Sequence, residues 1–171
     1  MAMRLEALDR VHDVEKFDCG ITILNRWLQQ TAAQNEKKGT SRTWVLVDED
    51  APTKIIGFFA MAPRGIIPTQ DLPGDMQNRL PKVVTGYTLA RLGVSMDDKG
   101  KGHGARLLNE AMEKAWRVAQ QVGGFGLFVD AKEGAASFYE HYGFEPFPDD
   151  PATLVLRISD IGPYPMQDPE E

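Results

Sequence analysis

The chain of 171 residues is poor in the residue types on which several kinds of site depend. Its one cysteine, Cys19, excludes an intrachain disulfide and is expected to fill the core. With only three histidines besides, there is no Cys/His array at zinc-binding spacing, and no metal site is expected. No apolar run approaches the roughly 20 residues needed to cross a bilayer, and the opening MAMRLEALDR lacks the apolar stretch of a secretion signal. A cytoplasmic protein with no membrane partner is expected. Internal repeats, low-complexity tracts and blocks of lysine or arginine are also missing. The formal net charge is -6, but residues 145–171 hold seven acids and one base, whereas residues 1–144 carry eighteen of each. Most of the chain is therefore neutral, and long-range attraction of a polyanion is not written into its composition.

What is present describes one globular domain. At 42% apolar, the chain is long enough for a single core and short for two. The expected boundaries are a domain over 1–160 and a loosely ordered, acidic, proline-containing tail over 161–171. MRLEAL reads as a first strand. FDCG reads as a turn, and residues 21–38 as a helix with Ile21, Leu24, Trp27 and Leu28 on one face, ended by Gly39. Trp44–Val47 and Ile55–Met61 flank DEDAPT as a hairpin. Residues 63–82, rich in proline, glycine and aspartate, read as a long loop with a short helix over 76–80, and a loop of that length suits substrate or dimer contact. VVTGYTLARLGV reads as a strand interrupted by Gly86. A long amphipathic helix follows, with Leu107, Leu108, Ala111, Met112, Ala115 and Trp116 at helical spacing and Gly123 and Gly124 as its stop. FGLFVD, KEGAASFYEHYG and TLVLRI read as strand, helix and strand. This order predicts an α/β (α+β) fold with a central mixed, partly parallel twisted sheet flanked by helices.

Between strand and long helix lies DDKGKGHGARLL, with Gly100, Gly102 and Gly104 at alternate positions. The first four amides of a helix have no internal partner, and glycines let the backbone approach an anion closely. Lys99 and Lys101 add charge beside this phosphate nest. The turn is neither GxxxxGK[ST] nor GxGxxG, so neither nucleotide hydrolysis nor dinucleotide binding is indicated. A plain flexible helix start is the alternative.

In this context KGKGHG, from Lys99 to Gly104, resembles the pyrophosphate signature [Q/R]-x-x-G-x-[G/A] of the GCN5-related N-acetyltransferases, with lysine where glutamine or arginine is usual. AASFYEHYGFEP resembles the same family's closing signature. The resemblance spans residues 3–158 and implies the GCN5-related N-acetyltransferase fold, with acetyl-CoA held by Leu92, Gly93, Val94, Lys99, Gly100, Lys101, Gly102, His103, Gly104 and Ala105. It also implies that Tyr139 lies near the thioester. Oriented amides of the strand around Leu92–Val94 would polarise the thioester carbonyl, and a phenol of ordinary pKa near 10 would protonate the leaving thiolate.

FDCGITILNRWL, RTWVLV, GFFAMAP, LARLGV, LFVDAKEGAASFYEHYGF and PDDPATLVL are further similar to the acetyltransferase toxins of bacterial toxin-antitoxin pairs. That likeness implies acetylation of the α-amine of aminoacyl-tRNA, arrest of translation, a homodimer and a ribbon-helix-helix antitoxin. Arg91, near the catalytic strand, and Arg42, Lys54, Arg64 and Lys82 are the candidate contacts to the nucleic acid. No residue stands out as a base: His103 and His141 are expected to face solvent, Asp130 and Glu133 are candidates for the substrate mouth, and an α-amine does not require one. Acetylation of a protein amine or small amine is the alternative activity, and a non-catalytic acyl-CoA-binding module the third.

Overall fold

The computed structural model describes residues 2–166, which fall into two compact units. One comprises the described residues through Pro63 together with Thr88–Ala111, the other Arg64–Tyr87 and the described residues from Met112 onward. The strands are hydrogen-bonded in the order β1-β2-β3-β4-β5-β7-β6. Their ranges are β1 Met3–Ala7, β2 Arg42–Asp48, β3 Gly57–Pro68, β4 Val83–Val94, β5 Gly126–Asp130, β6 Glu145–Phe147 and β7 Asp150–Arg157. Helices α1 Thr22–Arg26, α2 Ala32–Lys38, α3 His103–Val122 and α4 Ala136–His141 complete the fold. The sheet is mixed. β1, β2 and β3 pair antiparallel, as do β5, β6 and β7. The 20-residue α3 carries the chain back from the end of β4, so that β5 enters alongside β4 in the same direction.

In the first unit the β2–β3 hairpin sets Trp44 opposite Phe59 and Val45 opposite Phe58. Phe58 joins Phe17, Cys19, Leu24, Leu28, Val45 and Val47 in one buried cluster, which confirms Cys19 as a core residue. Leu28 is almost wholly buried, and truncating such a leucine costs about 2–5 kcal/mol. The helix read over 21–38 is not one regular rod. A π-helical turn, Trp27–Thr31, separates α1 from α2. Leu24 and Leu28 face inward as expected, but Ile21 is exposed. Ile21 stands ahead of the first helical turn in extended backbone, at φ -119° and ψ 106°, so the helical period does not reach it.

The second unit has its own cluster of Ile67, Leu72, Met76, Val84, Phe128, Phe147 and Val155. The long loop expected over 63–82 is shorter, because β3 runs to Pro68, and two single turns of 3-10 helix at Thr69–Asp71 and Gly74–Met76 replace the helix expected over 76–80. Nor does Gly86 interrupt β4. A Cβ there would collide with the Gly126 carbonyl oxygen and lie 2.8 Å from the Phe128 ring, so glycine permits β4 and β5 to close up. The short strand β6 was not anticipated, since three residues carry no readable alternation. At the C-terminal end, Ile161 is buried, Tyr164 packs edge-on to Trp116 with ring centroids 5.5 Å apart, and Arg117 donates to the Pro165 carbonyl at 2.8 Å. The start of the expected loose tail is thus packed down, and its remaining residues, 167–171, lie outside the described ones.

Candidate active site

The first unit carries the glycine turn. β4 ends at Val94, a short 3-10 turn follows at Met96–Asp98, and α3 begins at His103. The first helical amide with an internal acceptor is that of Arg106, which donates to the Gly102 carbonyl at 3.2 Å. The amides of His103, Gly104 and Ala105 precede it and have no carbonyl one turn back. Gly100 and Gly102 adopt φ of +79° and +83°, and nothing lies within 4 Å of where their Cβ atoms would stand. Open space beside two bare glycines therefore adjoins the positive end of a 20-residue helix, where an anion is favoured. His103 is half-buried rather than facing solvent, and Leu92 and Val94 are half-buried at the end of β4 with Gly93 buried between them.

The two lysines of the turn differ. Lys101 lies 3.4 Å from Asp98 in a half-exposed ion pair. Lys99 donates instead to the Cys19 carbonyl at 2.9 Å, 80 residues away in sequence. Sequence spacing gave no sign of this contact.

The second unit carries Tyr139, on α4. Its side chain is only 8% exposed and packs edge-on to Phe138 and Phe144, with centroids 5.2 and 5.6 Å apart. Burial pushes its phenol up to about 12, so the hydroxyl keeps its proton at every physiological pH. Tyr142, on the same turn, packs edge-on to Phe138 at 5.3 Å. Asp130, at the end of β5, receives a bidentate fork from Arg64 at 3.0 and 3.1 Å and the Thr153 hydroxyl at 2.9 Å. The Arg64 guanidinium holds its carboxyl below the usual aspartate range, which makes it a poor base. Glu133 and His141 are exposed.

The five candidate nucleic-acid contacts do not form one patch. Arg42 opens β2 while Lys54 lies in the turn beyond its other end, a strand length of roughly 20 Å apart. Arg42 bonds the Glu36 backbone carbonyl at 2.9 Å and its carboxylate at 3.3 Å. Arg91 lies over the Trp27 ring at 5.3 Å. Lys54 is exposed on the wall of a 410 Å³ cavity with Lys16, Phe17 and Met96. In the second unit Lys82 is exposed, whereas Arg64 borders a 400 Å³ cavity that also presents Asp71, Asp149 and Asp150, surroundings that disfavour a phosphate.

A mixed sheet with a bare glycine turn opening the helix after β4, and a protonated tyrosine on the helix after β5, has the parts that an acyl-CoA-dependent acyltransferase needs. Residues 39–146 match the family described as acetyltransferase (GNAT) domain, and the chain belongs to that family, with acetyl-CoA as its acyl donor. Among characterised proteins it is 32% identical to the tRNA-acetylating toxin of Mycobacterium tuberculosis over 149 residues, 86% of this chain and 87% of that protein. It is 27% identical over 169 residues to a probable toxin TacT of Sinorhizobium fredii, covering 92% of each. Among solved structures it is similar to AtaT complexed with acetyl-methionyl-tRNAfMet, with a TM-score of 0.85 and 27% identity over 92% of this chain and 96% of that one. A tyrosine-to-phenylalanine mutant of KacT gives a TM-score of 0.85 and 25% identity over 93% and 96% of the two chains. Among the described residues no helix is long and apolar enough to cross a membrane.

Proposed function

We propose that the chain transfers acetyl from acetyl-CoA to the α-amine of aminoacyl-tRNA, blocking translation as the toxin of a toxin-antitoxin pair. The observation that carries this reading is the 32% identity to a tRNA-acetylating toxin, sustained over 86% of the chain. An antitoxin partner, of the ribbon-helix-helix kind, belongs to the same reading and is supported by relatives solved with the antitoxin AtaR and as a KacTA-DNA complex; a homodimer belongs to it as well.

Acetyl-CoA supplies an activated thioester. The amine nitrogen attacks its carbonyl carbon, a C–N bond replaces the C–S bond, the amine loses a proton and the sulfur gains one. In this chain the amides at the start of α3, with Gly100, Gly102 and Lys101, hold the pyrophosphate. The backbone of Leu92–Val94 orients the acetyl group. Tyr139 donates its hydrogen to the departing sulfur. A phenol near 12 is a weaker acid than a free thiol near 8.5, yet the desolvation that raises the phenol raises the thiolate's proton affinity as well. No dedicated base is required: an α-amine of pKa about 7.7–8.0 is roughly a tenth neutral at pH 7, whereas a lysine near 10.4 is almost wholly charged. Asp130, bonded by Arg64 and Thr153, is not free to serve. Lys54, Lys82 and Arg91, with Arg42 after exchange of its present partner, supply contacts to the acceptor's phosphates, whereas Arg64 stays with Asp130.

The test incubates the purified protein with labelled acetyl-CoA and charged tRNA, in parallel with uncharged tRNA, polyamines and a lysine-rich protein. Label is expected on charged tRNA alone, with a rate that falls steeply as salt rises. Label confined to the polyamine or protein samples overturns the reading in favour of a small-amine or protein acetyltransferase.

A further inference from the structure

The lysine that replaces the family's usual glutamine or arginine at the head of the turn is engaged by the protein's own backbone. Its ammonium donates to the Cys19 carbonyl at 2.9 Å. This is one of several ties between segments 18–20 and 95–99. The Met96 amide donates to the Asp18 carbonyl at 2.9 Å. Gly20, at φ +85°, lies so close that a Cβ there would stand 3.2 Å from the Met96 sulfur and 3.8 Å from the Lys99 ammonium. The bend itself is stiff: the Asp18 carboxylate accepts the Gly20 amide at 2.8 Å and the Asn25 side chain at 2.9 Å, and the Asn25 carbonyl accepts the Cys19 amide at 2.9 Å. These two hydrogen bonds hold the Asp18 carboxyl below its usual range, with the Lys99 charge a smaller contributor, so that charge is already engaged.

We propose that Lys99 is a positioning residue: it fastens the coenzyme turn to the bend ahead of α1, while the cationic contact to the pyrophosphate falls to Lys101. The proposal rests on the reading that the turn holds the pyrophosphate. Three residues separate Lys99 from the first residue of α3, and two of the intervening positions are glycines that nothing packs against. Without a fixed leading end, such a segment would lose its order at each departure of the ligand. A long side chain anchored on a main-chain carbonyl fixes that end whatever side chain stands at position 19. Lys101 is half-exposed, and its ammonium, 3.4 Å from Asp98, is the charge of the turn that solvent and an anion can reach.

The experiment measures coenzyme A affinity by calorimetry at several salt concentrations for the wild-type protein and for Lys99→Met, Lys99→Arg, Lys101→Met and Gly102→Asp. Hydrogen exchange of the Cys19 and Gly20 amides is followed in the same proteins. Lys101→Met is expected to weaken coenzyme A about tenfold or more, as loss of a charged hydrogen bond does, and to flatten the salt dependence. Lys99→Met is expected to keep the wild-type salt dependence, to weaken binding about threefold and to speed exchange at Cys19 and Gly20, with Lys99→Arg restoring both. Flattening by Lys99→Met equal to that by Lys101→Met would place the ammonium on the phosphate and overturn the proposal, as would unchanged exchange. Failure of both Lys101→Met and Gly102→Asp to weaken coenzyme A overturns instead the placement of the pyrophosphate at the turn, and the proposal falls with it.

Discussion

The two units solve opposite problems. In the first, the turn from Lys99 to Gly104 is open, two of its glycines face empty space, and its potential lies in amides not yet bonded. In the second, Tyr139 is enclosed by aromatic rings and its hydroxyl is kept neutral by lack of water. A site for an anion must offer donors that nothing inside the protein has used, whereas a site for a proton donor must keep solvent from setting its acidity.

The largest break in this contrast is expected from Tyr139→Phe, which keeps the ring and its packing and removes one hydrogen. Turnover should fall about 10²- to 10⁴-fold, the usual worth of general acid catalysis, while coenzyme A affinity stays unchanged. Single-turnover measurement checks this, and an unchanged chemical rate would remove Tyr139 from the mechanism.

A stability comparison sharpens the same contrast with glycines. Gly86→Ala drives a methyl group into the Gly126 backbone and should cost about 1–3 kcal/mol, as overpacking does. Gly100→Ala meets no neighbour and pays only for the left-handed backbone, about 1 kcal/mol. Urea unfolding distinguishes them, and equal losses would show that the closeness of β4 and β5 carries no special cost.

The smallest effect is spectroscopic. The folded state raises the Tyr139 phenol to about 12 from about 10, so it favours the protonated form. The stability this contributes is complete below pH 10 and is lost as pH rises toward 12. Tyrosinate absorbance should show a late component that vanishes in Tyr139→Phe. Loss in Tyr139→Phe of a component near pH 10 instead would mean that water reaches the hydroxyl.

Sequence patterns read the local elements well. The β2–β3 hairpin, the glycine turn, α3 and its glycine stop all follow from periodicity and punctuation over short windows. What escaped depends on distant partners. Lys99 meets a carbonyl 80 residues earlier, so nothing near position 99 announces it. The π-turn at Trp27–Thr31 inserts a phase shift that a fixed period cannot register, and Ile21, read as helical, stands exposed in extended backbone just ahead of α1. β3 continues through Ile66 at φ +39°, a backbone angle that sequence gives no reason to expect of a branched residue. The basic candidates were chosen one by one, and sequence could not show that Arg42, Arg64 and Arg91 are engaged by Glu36, Asp130 and Trp27.

Gly86 in β4 is pressed against the backbone of Gly126 in β5, and Gly126 in turn is pressed against β7. A Cβ at Gly126 would itself come within 2.8 Å of a Val155 methyl and 3.0 Å of the Leu156 carbonyl, so the crowding has no slack on the far side. Every amino acid other than glycine brings a Cβ. In evolutionary terms every single substitution at either position starts at a loss of stability, and divergent descendants of this chain should keep both glycines longer than the surrounding hydrophobic residues.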